Sequence, residues 1–74
     1  DVQIVNIEGG YYAVIRYSGR ASDRNFLKHK EILEKELNKN NISIISPPIR
    51  ATYDSPFTLP MNRRNEAMFK VELN

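Results

Sequence analysis

An α+β fold, a β-β-α-β-β unit forming half of a small antiparallel barrel, follows from three features of this 74-residue sequence. Two β-branched runs flank a glycine turn, one amphipathic helical stretch comes next, and extended runs occupy the remainder. A single helix covers only part of one face of a four-stranded sheet. The apolar side of the helix and the isoleucine-rich strands therefore expect more protein than one such unit supplies. A complementary half, from another segment or another chain, would satisfy them.

Residues 2–7 (VQIVNI) read as a first strand and residues 12–18 (YAVIRYS) as a second. The Glu8-Gly9-Gly10 turn between them makes an antiparallel hairpin the economical arrangement, since glycine readily supplies positive φ. Alternation places Ala13, Ile15 and Tyr17 on one face and Tyr12, Val14 and Arg16 on the other, and Gly19 ends the run. Ser22 is a good N-cap, with Asp23 well placed against the helix dipole. A helix is predicted over residues 22–38, with Phe26, Leu33 and Leu37 within about 40° of each other and Leu27 and Ile32 flanking them. Lys30–Glu34 and Glu31–Lys35 stand at i,i+4 on its polar sides. Asn38-Lys39-Asn40-Asn41 supplies a basic residue and asparagines that tolerate the left-handed conformation, so the helix stops there.

Residues 42–53 are predicted as a third strand kinked at Pro47-Pro48, where two missing donors demand a bend, a bulge or an edge. Residues 54–62 (DSPFTLPMN) have no regular period and read as a loop. Residues 66–73 (EAMFKVEL) alternate, with Ala67, Phe69, Val71 and Leu73 opposite Glu66, Met68, Lys70 and Glu72, and form a last half-buried strand.

Composition narrows the chemistry. With 41% hydrophobic residues the chain is ordinary for a globular unit, yet no cysteine and a single histidine leave neither a disulfide framework nor a structural zinc site. A unit this small without a staple often relies on a partner. Its 11 basic residues are interspersed with 9 acidic ones, except at Arg63-Arg64. No basic stripe for nucleic acid results. No run approaches the ~18 apolar residues that span a membrane, and no leader pattern opens the chain, so a soluble, intracellular protein is expected. Asp1 runs directly into a strand pattern, which leaves its status as the true N-terminus open.

No catalytic apparatus is expected: there is no G-x-S-x-G motif, and Gly9-Gly10 leads into a strand instead of a phosphate-binding helix. The pair Glu31 and Glu34 lies on a lysine-paired helix face without burial to perturb it. His29 borders the apolar stripe. Such a residue usually packs with its nitrogens reaching water or a neighbour; axial ligation of haem iron is the weaker alternative. The most unusual stretch is residues 47–66, a proline-braced loop presenting Phe57, Leu59 and Met61 and closed by Arg63-Arg64. Apolar groups beside fixed cations suit a flat amphipathic ligand with carboxylates. Equally concretely, Asn65 and Glu66 could anchor the loop by hydrogen bonds, the arginines pairing with Asp54 or lying in solvent.

Tyr53-Asp54-Ser55-Pro56 followed by Arg63-Arg64-Asn65-Glu66 resembles the C-terminal signature of the SOUL haem-binding family. Ala13-Val14-Ile15-Arg16-Tyr17-Ser18-Gly19 is similar to the family's strand ending in an aromatic, a small residue and glycine. The helix, Pro47-Pro48 and the last strand follow in the expected order. The resemblance implies the C-terminal half of a distorted barrel of two β-β-α-β-β halves, spanning residues 1–74, that binds haem or another tetrapyrrole without catalysing a reaction. Tyr53, Phe57, Leu59, Met61, Arg63 and Arg64 are the candidate ligand-binding positions; the resemblance carries over no metal ligand, since His29 does not match the family's proposed one. A basic residue found in the proline loop of some members corresponds to Thr58 here. The alternative is an interaction or scaffold subunit that keeps the fold without the ligand. Either way a complementary half-domain or another protein chain is the expected partner.

Overall fold

The computed structural model describes residues 2–20, 22–53 and 64–73, with 52 and 53 described in the backbone only. In chain order the elements are β1 (Val2–Ile7), β2 (Gly10–Ser18), α1 (Asp23–Lys39), β3 (Ser43–Ile44), β4 (Ile49–Tyr53) and β5 (Arg64–Glu72). The α+β class is as predicted. All strand pairs are antiparallel, in the order β1-β2-β5, with β3 and β4 sharing the far edge of β5. The sheet is open and does not close into a barrel.

The β1–β2 hairpin closes at the Ile7–Gly10 pair through two residues of positive φ, Glu8 at 50° and Gly9 at 81°. This is a type I′ turn, whose twist matches that of the strands it joins. The second strand consequently begins at Gly10, two residues before the hydrophobic run that announced it. Gly19, with φ of 107°, ends it as expected.

The helix obeys its sequence signals. Ser22 caps it, Oγ accepting from the Asn25 N–H at 3.2 Å. At the other end Asn41 takes φ of 58°, the Ile42 N–H donates to Leu37 O and the Asn41 N–H to Asn38 O. These are the two bonds of a Schellman motif, and Ile42 packs against the core cluster containing Leu37, as that motif prefers.

The predicted 42–53 strand is instead two strands on one edge. Ile44 stands opposite Val71 and Ile49 opposite Met68, so four residues, 45–48, span the two positions 69 and 70. The excess is a bulge forced by Pro47 and Pro48, which have no N–H to give the ladder. Ser46 repairs part of the damage: its Oγ accepts the Lys70 N–H at 2.8 Å, beside an Ile45 N–H to Lys70 O bond of 2.9 Å.

One face of the sheet carries the helix. Ala13, Ile15 and Tyr17 of β2 and Ala67, Phe69 and Val71 of β5 bury against Leu33 and Leu37, with Val2, Phe26, Ile42 and Ile44 at the margins. Across the strands Ala13 faces Phe69 and Ile15 faces Ala67. Small opposes large, and the helix settles between them. Leu27 and Ile32, expected to flank this stripe, are exposed, as is Leu73 just past the end of β5. Two strands are too narrow a floor for a stripe that wide.

Glu8 holds a left-handed conformation that asparagine adopts at lower cost. Glu8→Asn should therefore raise stability by roughly 0.5 kcal/mol, read as a higher urea-unfolding midpoint. An unchanged or lower midpoint would remove this account of the turn.

Candidate functional site

The opposite face of the sheet carries no helix. Register puts Gln3, Val5 and Ile7 of β1, Tyr12, Val14 and Arg16 of β2, Arg64, Glu66, Met68 and Lys70 of β5, and Ile49 of β4 on it. Gln3, Val5, Ile7, Val14, Met68 and the Arg16–Glu66 pair line a groove of about 300 Å³. Val14 and Glu66 are buried there.

Arg16 also belongs to a second concavity of about 350 Å³, with Tyr17, Ser18 and Arg64. Arg16 is thus common to the lining of the apolar groove and of the concavity that Arg64 lines. Arg16 Nε donates to Glu66 Oε2 at 2.8 Å, with the arginine side chain 61% exposed and the carboxylate only 12%. No ion pair among the described residues engages Arg64.

Asn65 faces the other way. It is fully buried, its Nδ2 donates to Gly19 O at 3.0 Å, and its Oδ1 has no partner among the described residues. Asn65 and Glu66 each tie the start of β5 to β2 and the residue after it, one on either side of the sheet; the loop they were expected to anchor lies outside the described residues. Tyr53 pairs with Arg64, at the same end of the sheet as Arg16.

His29 lies on the helix side. Its ring stacks on Tyr17 with centroids 4.0 Å apart and planes 5° apart, and Nδ1–H donates to Asn25 O at 2.8 Å. Packing is its role in this structure. Nearby, Arg50 of β4 lies 5.1 Å from the Phe26 ring centroid and donates to Asp23 Oδ1 at 2.7 Å, tying the bulged edge to the start of the helix. Burial pushes the Tyr17 phenol above its ordinary value, partly offset by the Arg50 guanidinium. Among the described residues there is no cluster of three histidine or acidic side chains able to hold a metal ion, and no helix is long and apolar enough to cross a membrane.

A family model described as SOUL heme-binding protein matches residues 1–70. The chain belongs to the SOUL haem-binding family. No curated protein and no solved structure matches it. Of the candidate ligand-binding positions read from the sequence, Arg64 opens β5 on the helix-free face and Tyr53 contributes its backbone to β4. Phe57, Leu59, Met61 and Arg63 lie outside the described residues. What sequence reasoning missed is the groove itself. Alternation grouped Val14 with Arg16 and Met68 with Glu66, but only the β2–β5 register shows that the two groups share one surface with Val5 and Ile7.

The Arg16–Glu66 pair should be asymmetric to mutation. Arg16→Ala leaves a mostly buried carboxylate unpaired and should cost about 2 kcal/mol, whereas Glu66→Gln leaves an exposed guanidinium in water and should cost about 1 kcal/mol or less. Urea denaturation of both variants reads the difference; equal costs would contradict the burial asymmetry.

Tyr17 contributes a pH dependence. Its neutral form is favoured by folding, so the stabilisation is whole below the ordinary pKa of 10.0 and is lost as pH climbs through the raised folded value. Stability measured against pH should fall more steeply in the wild type than in Tyr17→Phe above pH about 10. Parallel curves would show that the phenol is not desolvated.

Proposed function

We propose that the helix-free face receives a flat tetrapyrrole, haem or a relative, and that the domain is a non-enzymatic binding or carrier module completed by a complementary half. The observation that carries this is that the Val5–Ile7–Val14–Met68 groove includes Arg16, which also lines the concavity holding Arg64. An apolar floor ending in guanidinium groups suits a planar ring bearing carboxylates. Membership of the SOUL family supports the same ligand class. Tyr53, Phe57, Leu59, Met61 and Arg63 join the proposed site because their segment starts and ends beside Arg64.

The ring fits this face better than the iron does. The chain's single histidine stands on the helix side, stacked on Tyr17, so an axial imidazole is not offered to the groove. Bound haem would supply its own colour and redox chemistry; the residues here would hold its plane and its propionates.

A second reading, a scaffold subunit that keeps the fold without the ligand, is favoured by one observation. Glu66 already satisfies Arg16, and Thr58 stands where some relatives carry a cation. Haemin titration of the native polypeptide containing these residues separates the two. A shifted Soret band at micromolar haemin is expected, with Arg64→Ala weakening binding about fivefold, the worth of one exposed ion pair. No shift would sink the tetrapyrrole reading in favour of the scaffold.

A further inference from the structure

Glu66 stands directly opposite Arg16 in the β2–β5 ladder, on the helix-free face. Its side chain is 12% exposed and accepts from Arg16 Nε at 2.8 Å, while the arginine side chain is 61% exposed. A carboxylate so little exposed needs a charged donor, and this one has it without drawing the donor out of water. Among the described residues only the Nε corner of the guanidinium is engaged. The N–H groups on both Nη atoms are left for another acceptor.

Arg16 also lines the concavity that holds Ser18 and Arg64. Those two residues face one another in the ladder, two positions along from the Arg16–Glu66 pair. The two arginines of this end therefore differ in kind. No ion pair among the described residues holds Arg64. Arg16 has already surrendered rotamer freedom on folding, so less is lost when an anion arrives.

We infer that Glu66 is a positioning residue, holding Arg16 by Nε so that its Nη edge is presented as a fixed fork to a carboxylate of the bound molecule. This rests on the tetrapyrrole reading and adds a division of labour to it: Arg16 supplies geometry and Arg64 supplies charge. A carboxylate in this place has an opposite role open to it, that of a counter-ion competing with the ligand. The shape of the guanidinium decides between them. In a planar fork the Nη1–Nη2 edge points away from the Nε–H bond. An acceptor on that edge and Glu66 thus lie on different sides of the cation, which attracts both. Water at the exposed end screens the repulsion between them.

The test titrates the native polypeptide containing these residues with haemin and with haemin dimethyl ester, which has the same ring and iron but no carboxylate. The Soret band reports each affinity, and the ratio of the two separates the grip on the carboxylates from any change in the groove. In the wild type the acid should bind roughly tenfold tighter than the ester. Glu66→Met removes the acceptor while keeping an unbranched side chain in the buried position, and should lower that ratio about fivefold. Glu66→Gln, which keeps an acceptor oxygen for Nε–H, should restore it to within about twofold of the wild type. Arg16→Lys keeps the charge but has no planar fork, and should lose the preference as Glu66→Met does. A ratio that rises in both Glu66 variants identifies a competing counter-ion and overturns the inference. Acid and ester affinities that fall together in Glu66→Met identify a merely structural role and overturn it too, as does a full preference for the acid in Arg16→Lys. If wild type binds acid and ester equally, tetrapyrrole binding stands and the positioning role falls. If neither shifts its Soret band, the tetrapyrrole reading itself fails and takes this inference with it.

Discussion

The pairing of β2 with β5 sets everything else in this structure. Eight consecutive residue pairs, from Tyr11–Val71 to Ser18–Arg64, fix which side chains meet the helix and which meet the open face. A one-residue slip of β5 would turn its faces over, placing Glu66 under the helix and Phe69 in water. The register is held at one end by two clamps. Asn65 Nδ2 reaches Gly19 O on the helix side, and Glu66 takes the Arg16 guanidinium on the other. Both clamps are polar, both involve buried groups, and either would be broken by the slip. The apolar core supplies the driving force, but these groups make one register the satisfied one.

That dependence explains what could and could not be seen in the sequence. The helix was legible almost to the residue, because Ser22, the 26/33/37 spacing and the asparagine-rich end are all local signals. The hairpin was legible for the same reason. The division of residues 42–53 was not. A double proline announces a break but does not say whether the chain beyond returns to the same neighbour. Here it does, because β5 has one unpaired edge long enough for both pieces and Ser46 can replace a lost main-chain partner. Pairing between residues 11 to 29 positions apart in the chain is not written in either strand. The open face was hidden for a related reason. Arg16, Glu66 and Lys70 mark their alternating positions as solvent-facing, yet Val14 beneath them is buried and Met68 lines the groove.

The same interleaving decides what chemistry the face can do. A wholly apolar sheet face would ask only to be covered, by a helix or a second sheet. A wholly charged one would be a solvated surface. Here the apolar residues cluster on β1 and the middle of β2 and β5, and the guanidinium groups stand together where β2 ends and β5 begins. Lys70 adds a cation opposite Tyr12, at the other end, and two guanidinium groups stand against its one ammonium, so the proposed molecule would lie with its rings over Val5, Val14 and Met68 and its anionic ends toward Arg16 and Arg64. Orientation by an apolar-to-cationic gradient needs no metal ligand from the protein.

The position of His29 fits that division of labour. As the chain's single imidazole, it is held on the far side of the sheet by stacking on Tyr17 and by its Nδ1–H bond to Asn25 O. Tyr17 and Arg16 are adjacent in β2 and point to opposite faces. The strand thus sends its aromatic residue to secure the helix and its cation to the open face. Moving the histidine to the groove would require the helix to leave Ala13 and Ala67, the two small residues whose complete burial lets it lie close. A ligand gripped through its ring and carboxylates, as proposed, would leave that packing untouched.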